Sequence, residues 1–127
     1  MTDHLFVYGT LLRGEERDGM VLSLPMVPAT TRGRLHMARA GYPALQSDPA
    51  ADQVKGELLT LEHPGLLTVL DLVEGVADGL YSRTRIPVRT DDGATEAWAY
   101  VMDIHQLRRA ECRPLKVRDW RALARRG

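Results

Sequence analysis

The chain has a single cysteine, Cys112. No intrachain disulfide and no cysteine-based metal site can form, which suits a reducing compartment. Histidine is little better represented: His4, His36, His63 and His105 are scattered, with no His-x-x-x-His spacing to hold a metal. Charge of one sign is also missing, because 17 basic residues balance 17 acidic ones. No whole-protein field exists to draw in nucleic acid or an anionic membrane. No apolar run approaches the roughly 20 residues of a membrane span, and Met1-Thr2-Asp3-His4 carries neither the basic nor the apolar region of a secretory signal. These absences predict a cytoplasmic protein with no metal, no membrane partner and no nucleic-acid partner. One unevenness remains: from Asp103 onward eight Lys or Arg face three acidic residues, which leaves the first 102 residues at minus five. That tail can meet an anion or a partner, although a solvated basic helix face is the plainer reading.

What is present reads as one globular domain, residues 1–127. The length suffices to bury about two-thirds of the unfolded surface, and the composition, 44% hydrophobic and 27% charged without repeats, is that of an ordinary folded chain. Leu5 to Tyr8 is an all-apolar run of strand formers, the pattern of a central strand buried on both faces. Arg17 to Leu24 suggests a brief helix. Ala29 to Ala38 reads as a strand, Ala40 to Leu45 (AGYPAL) as a tight loop entering a short strand, and Asp52 to Leu61 as a strand in which Gly56 marks a bend or a close backbone approach. Pro64 opens a helix whose stripe is Leu66, Val69, Leu70 and Val73, stopped by Gly75. Tyr81 to Thr90 and Thr95 to Met102 alternate polar and apolar around Asp91-Asp92-Gly93, a hairpin signal. Pro114 to Arg126, with Val117, Trp120, Leu123 and Ala124 on one face, predicts a basic amphipathic closing helix. The sum is an α+β fold, mostly antiparallel.

Two places break the local rules. Glu74 sits in the last turn of the predicted helix, at the negative end of the macrodipole, where a cation is the stabilising choice. Asp71, three residues earlier, adds a like charge. Both effects raise the expected pKa of Glu74 from about 4.3 toward the range of a useful general base. The alternative is a solvated carboxylate at a helix end, and Asp71 equally suits a cap or an ion pair with Arg83 or Arg85. The second place is Tyr8-Gly9-Thr10-Leu11. A central strand ending in glycine can turn sharply and point free N–H groups outward, a concavity for a carboxylate or oxyanion; an ordinary strand-to-loop turn explains the same letters.

Taken in order, the motifs resemble the γ-glutamylcyclotransferase superfamily, in particular its small branch of γ-glutamylamine cyclotransferases and AIG2-like proteins. FVYGTLLRG at 6–14 is similar to that branch's amino-terminal signature, GYPAL at 41–45 to its second loop, VKGELL at 54–59 to its middle strand and LDLVEG at 70–75 to its catalytic helix end. YSRTRIPV at 81–88 and AWAYV at 97–101 are similar to the strands that follow. The resemblance runs from Leu5 to Met102 and leaves only the terminal helix outside it.

The resemblance implies a small mixed, mostly antiparallel β-barrel flanked by helices, with a pocket at its mouth. It implies that Glu74 is the catalytic acid/base, and that the backbone of Tyr8, Gly9, Thr10 and Leu11 binds the γ-glutamyl group of a small-molecule substrate. The implied reaction needs no cofactor: the α-amino group attacks its own side-chain amide, forming 5-oxoproline and expelling an amine. Tyr42, Arg83 and Tyr100 are further substrate-binding candidates, each with a plainer alternative: a packed lid for Tyr42, a cross-strand ion pair for Arg83, barrel filling for Tyr100. Trp98 and Trp120 are assigned to packing. The competing function is a non-catalytic small-molecule binding module on the same fold. The leaving amine is open, as is a possible homodimer.

Overall fold

The structure, a computed structural model, describes residues 3–8, 24–63, 65–116 and 118–119. Among the described residues, seven strands and two helices follow in the order β1 (Asp3–Val7), β2 (Met26–Met37), β3 (Pro43–Ser47), β4 (Gln53–Leu61), α1 (Gly65–Val73), β5 (Ser82–Thr90), β6 (Gly93–Val101), α2 (Ile104–Arg109) and β7 (Arg113–Pro114). A 3-10 turn at Val76–Asp78 joins α1 to β5.

Five strands close on themselves in the order β2-β4-β1-β6-β5, and β5 returns to β2 through Thr30 and Arg89. The pairings are antiparallel except β1 with β6, which run parallel at Leu5 and Trp98. A closed sheet has no free edge within the ring. Closure depends on β2, whose first half pairs with β4 and whose second half, from Gly33, leaves the barrel to carry β3 and β7.

The expectation for Leu5 to Tyr8 agrees with the position of β1, which is paired on both sides. Period-two alternation sends Phe6 and Tyr8 into one apolar cluster with Val54, Ile86, Val88, Ala97 and Ala99, and sends Leu5 and Val7 into a second with Leu67, Leu70, Tyr81, Tyr100 and Met102. The first cluster fills the barrel; the second is the layer between barrel and helices. Gly56 is a close approach rather than a bend: a Cβ there would lie 2.3 Å from the Val7 carbonyl oxygen and 2.5 Å from Phe6 Cζ.

Two expectations need correction, and a third falls outside the described residues. In α1 the buried positions are Leu67 and Leu70, whereas Val69 is 47% and Val73 38% exposed. A short helix offers more than one apolar stripe, and the face chosen is the one that meets the barrel. Pro114 does not begin a helix, because Arg113 and Pro114 pair with Met37 and His36 as β7; the rest of the expected closing helix, apart from Leu115, Lys116, Arg118 and Asp119, lies outside the described residues, as does Trp120. The expected helix at 17–24 also lies outside them, except Leu24, which sits in a bend. Sequence reading missed α2, although Asp103 and Gln106 carry the spacing of a capping box. The Asp103 carboxylate accepts from the Gln106 N–H at 2.8 Å and the Gln106 side chain accepts from the Asp103 N–H at 2.9 Å.

Candidate active site around Glu74

The corrected face of α1 explains the burial of Glu74. Leu67, Leu70 and Glu74 recur at three- and four-residue spacing and so point the same way, into the layer against the barrel. Glu74 is only 8% exposed. Its N–H still donates to the Leu70 carbonyl at 2.9 Å, the last bond of the helical ladder. Gly75 then takes the left-handed conformation, φ 64° and ψ 34°, and ends the helix. The chain that follows is pinned: the Leu80 N–H donates to the Gly75 carbonyl at 3.1 Å, and buried Gln106 donates from Nε2 to the Gly79 carbonyl at 3.1 Å. Glu74 is therefore held from both sides of the turn.

Facing α1 is the outer surface of the β5–β6 ribbon. The antiparallel register sets Arg83 opposite Tyr100 and Arg85 opposite Trp98, and opposite residues share a face. The Arg83 guanidinium lies 4.5 Å from the Trp98 ring centre, with Arg85 at 5.3 Å. Arg83 Nε and the Tyr100 hydroxyl both donate to Oδ1 of Asp71, each at 2.8 Å. Asp71 thus pairs with Arg83, one of the two partners its position suggested, and Arg83 reaches the helix rather than a neighbouring strand. Trp98 packs as expected, and serves as a platform for two cations.

The remaining tyrosines converge from other elements. Tyr8, at the end of β1, donates to the Tyr100 carbonyl and accepts from the Leu45 N–H at 3.2 Å. Tyr81 donates to the Pro43 carbonyl and packs against Tyr42, with ring centres 6.1 Å apart. Burial pushes the Tyr8, Tyr81 and Tyr100 hydroxyls well above their ordinary range, and the Glu74 charge pushes each further in the same direction. For Tyr100 the hydrogen bond to Asp71 follows burial as the next cause. Burial also raises half-buried Tyr42 and the Cys112 thiol. These couplings tie Tyr8, Tyr81 and Tyr100 electrostatically to Glu74.

Of the residues expected at the site, the structure brings together Tyr8, Tyr42, Glu74, Arg83 and Tyr100. Gly9, Thr10 and Leu11 lie outside the described residues. Tyr81 joins them as a buried hydroxyl that its strand pattern alone could not assign. A second buried carboxylate, Glu57, stands opposite Val7 on β4 and had no signal beyond a charged letter in an apolar strand. Two grooves of about 480 and 400 Å³ share Thr30, Gln53 and Arg89 on another part of the surface and contain none of the expected site residues. Among the described residues no cluster of three or more His, Cys, Asp or Glu could hold a metal, and no helix is long and apolar enough to cross a membrane.

Comparison with known proteins adds the family. The family model described as gamma-glutamyl cyclotransferase, AIG2-like, matches residues 5–122. No curated protein matches the sequence. Among solved structures, YkqA from Bacillus subtilis is similar to this chain with a TM-score of 0.76 at 22% identity, over 100% of this chain and 44% of YkqA, so the chain spans less than half of that protein. An AIG2-like protein from Mus musculus has a TM-score of 0.69 at 23% identity, covering 84% of this chain and 82% of its own. A structure named gamma-glutamyl cyclotransferase has a TM-score of 0.63 at 21% identity, over 81% and 68%. At such identities the likeness is one of fold. With the family model spanning nearly the whole chain, the protein belongs to the AIG2-like family of γ-glutamyl cyclotransferases.

Proposed function

We propose that the protein is a γ-glutamylcyclotransferase-type enzyme that cleaves a γ-glutamyl amide and releases 5-oxoproline and an amine. The observation that carries this reading is a buried carboxylate, Glu74, at the C-terminal end of α1, whose charge acts on the buried hydroxyls of Tyr8, Tyr81 and Tyr100. Membership of the family supports it.

In the proposed reaction the substrate's α-amino nitrogen attacks its own side-chain carbonyl carbon, and a new C–N bond closes a five-membered ring. Glu74 takes a proton from the attacking nitrogen and returns one to the departing nitrogen as the original amide C–N bond breaks. Atoms balance without water. One carboxyl group can serve both steps, because the proton it takes from the attacking nitrogen is the one the departing nitrogen needs. Holding nucleophile and electrophile in one folded substrate supplies an effective molarity on the order of 10⁵ M or more. The N–H groups of Gly9, Thr10 and Leu11 are assigned the substrate carboxylate or the developing oxyanion, worth a few kcal/mol when preorganised.

The test is incubation with γ-glutamyl amines, γ-glutamyl amino acids and glutathione, with 5-oxoproline read by mass spectrometry. Wild type should release it from at least one class, and Glu74→Gln should lower kcat/KM by roughly 10²- to 10⁴-fold or more. Undiminished turnover in Glu74→Gln refutes the mechanism. Thermal stabilisation by these compounds without product from any of them would establish the binding-module reading instead.

A further inference from the structure

The barrel closes through one bridge, Thr30 of β2 with Arg89 of β5. Beyond it the two strands part, because β2 goes on to carry β3. Pro87 has no N–H with which to extend the ladder; the Thr31 hydroxyl donates to its carbonyl at 2.6 Å. The wedge beside the parted strands is the groove of about 400 Å³, a size that suits a small molecule. Its walls carry two guanidinium groups. Ala29, Thr31 and Val88 are buried, so alternation sends Thr30, Arg32 and Arg89 to the outer face, with Gln53 opposite Arg32. Arg32 is anchored: its Nη1 donates to the Ala51 carbonyl at 3.2 Å, which leaves most of its N–H groups to give. Among the described residues neither arginine joins an ion pair. The carboxylates next in sequence to the lining are engaged elsewhere, Asp48 with Arg34 at 3.4 Å and Asp52 with Arg118 at 3.1 Å. Pro49, Pro87 and Ala94 supply an apolar wall, and Ser47 a neutral donor.

We propose that this wedge is a second binding site, for a small amphipathic anion: a carboxylate or phosphate held between Arg32 and Arg89, with an apolar body laid against Pro49 and Pro87. Planar guanidinium groups match either oxyanion with paired N–H donors. The two like charges repel until an anion lies between them, which disfavours a cation or a neutral molecule in the same place. The larger groove alongside, of about 480 Å³, has Asp91 and Asp119 in its lining and lacks that bias. The wedge is remote from the catalytic end of α1. Arg83, which bonds Asp71, and Arg89 lie six residues apart on one face of β5, about 20 Å along the strand. Binding in the wedge does not depend on what Glu74 does.

The test is a titration of the full chain, labelled with nitrogen-15 and with its backbone amides assigned, against phenyl phosphate, phenylacetate, inorganic phosphate and benzyl alcohol. At least one of the two aromatic anions should shift the amides of Thr30, Arg32, Ser47 and Arg89 saturably, with a Kd of about 1 mM or tighter. Which of them binds better tells whether the site prefers phosphate or carboxylate. Inorganic phosphate should bind more weakly than phenyl phosphate, and benzyl alcohol should leave these amides in place. Arg89→Gln and Arg32→Gln should each weaken the aromatic anion by about tenfold; both side chains are exposed, so the fold should persist, as the amide dispersion verifies. Glu74→Gln should bind as wild type does. The absence of a saturable shift from both aromatic anions overturns the proposal, as does undiminished affinity in the two arginine variants. Equal affinity for inorganic and phenyl phosphate overturns the apolar half of it, and shifts scattered over every basic stretch of the surface show charge attraction without a site. The titration is read without turnover, so a protein that releases no 5-oxoproline refutes the proposed reaction separately.

Discussion

Removing one oxygen, in Tyr8→Phe, tests how the end of β1 is tied to the rest of the site. The Tyr8 hydroxyl is 6% exposed as part of its residue and makes two bonds at once, giving its proton to the Tyr100 carbonyl and accepting the Leu45 N–H. It therefore joins the end of β1 to β6 and β3. Phenylalanine keeps the ring, its stacking on Phe6 and its place in the cluster that fills the barrel, so little packing is lost. The cost is two buried backbone groups deprived of a partner, about 1–2 kcal/mol each once the surroundings relax, or about 2–4 kcal/mol together. In a domain of this size that corresponds to a fall in Tm of roughly 10 °C. Circular dichroism melts of wild type and Tyr8→Phe measure it, with Tyr42→Phe as the control, since half-buried Tyr42 is held by ring packing on Tyr81. A melting temperature within about 2 °C of wild type for Tyr8→Phe would refute the reasoning, because it would mean the buried hydroxyl contributes no net hydrogen bonding.

Alkaline pH tests the same tyrosines together. Their folded pKa values lie above the ordinary value of 10.0, so the stability tied to them is complete below pH 10 and is lost as the pH rises past it. Tyrosine absorbance should therefore rise together with unfolding; ionisation of all the tyrosines near pH 10 in a protein that stays folded would contradict this. At the acidic side His36 works in the opposite sense. Burial lowers its pKa, so its contribution is complete above about 6.5, the ordinary value, and is lost as the pH falls. The drop in Tm between pH 7 and pH 5 should be smaller in His36→Gln, and an equal drop refutes the assignment. Gly56→Ala places a methyl 2.3 Å from a backbone oxygen of the central strand, so it should cost about 3 kcal/mol or more and, by displacing β1, diminish activity as well; a near-neutral melt would show that β1 and β4 can separate freely.

The family and the barrel were legible because short motifs recur in a fixed order, and because strand periodicity and turn residues act over a few positions. β1 read as buried on both faces from four apolar letters, and the β5–β6 hairpin read from Asp91-Asp92-Gly93 between alternating runs. Where the reading failed, the deciding contact was remote. Which stripe of α1 faces inward depends on what the barrel presents, so Val69 and Val73 stay outside and Leu67 goes in. Pro114 became strand because the outer half of β2 offered it an edge.

The sequence alone determined Glu74 as a carboxylate at the wrong end of a helix, and Gly75 as the residue that lets the helix stop there, since both follow from neighbours one turn away. Only the tertiary structure decided that Glu74 is buried, that Arg83 answers to Asp71, and that the Tyr8, Tyr81 and Tyr100 hydroxyls donate to the Tyr100 carbonyl, the Pro43 carbonyl and Asp71. Those facts depend on register between strands and on the rotation of one helix about its axis, which bring together residues up to 92 positions apart. No local pattern encodes the direction of a hydroxyl proton; it is set by whichever acceptor the fold brings within reach.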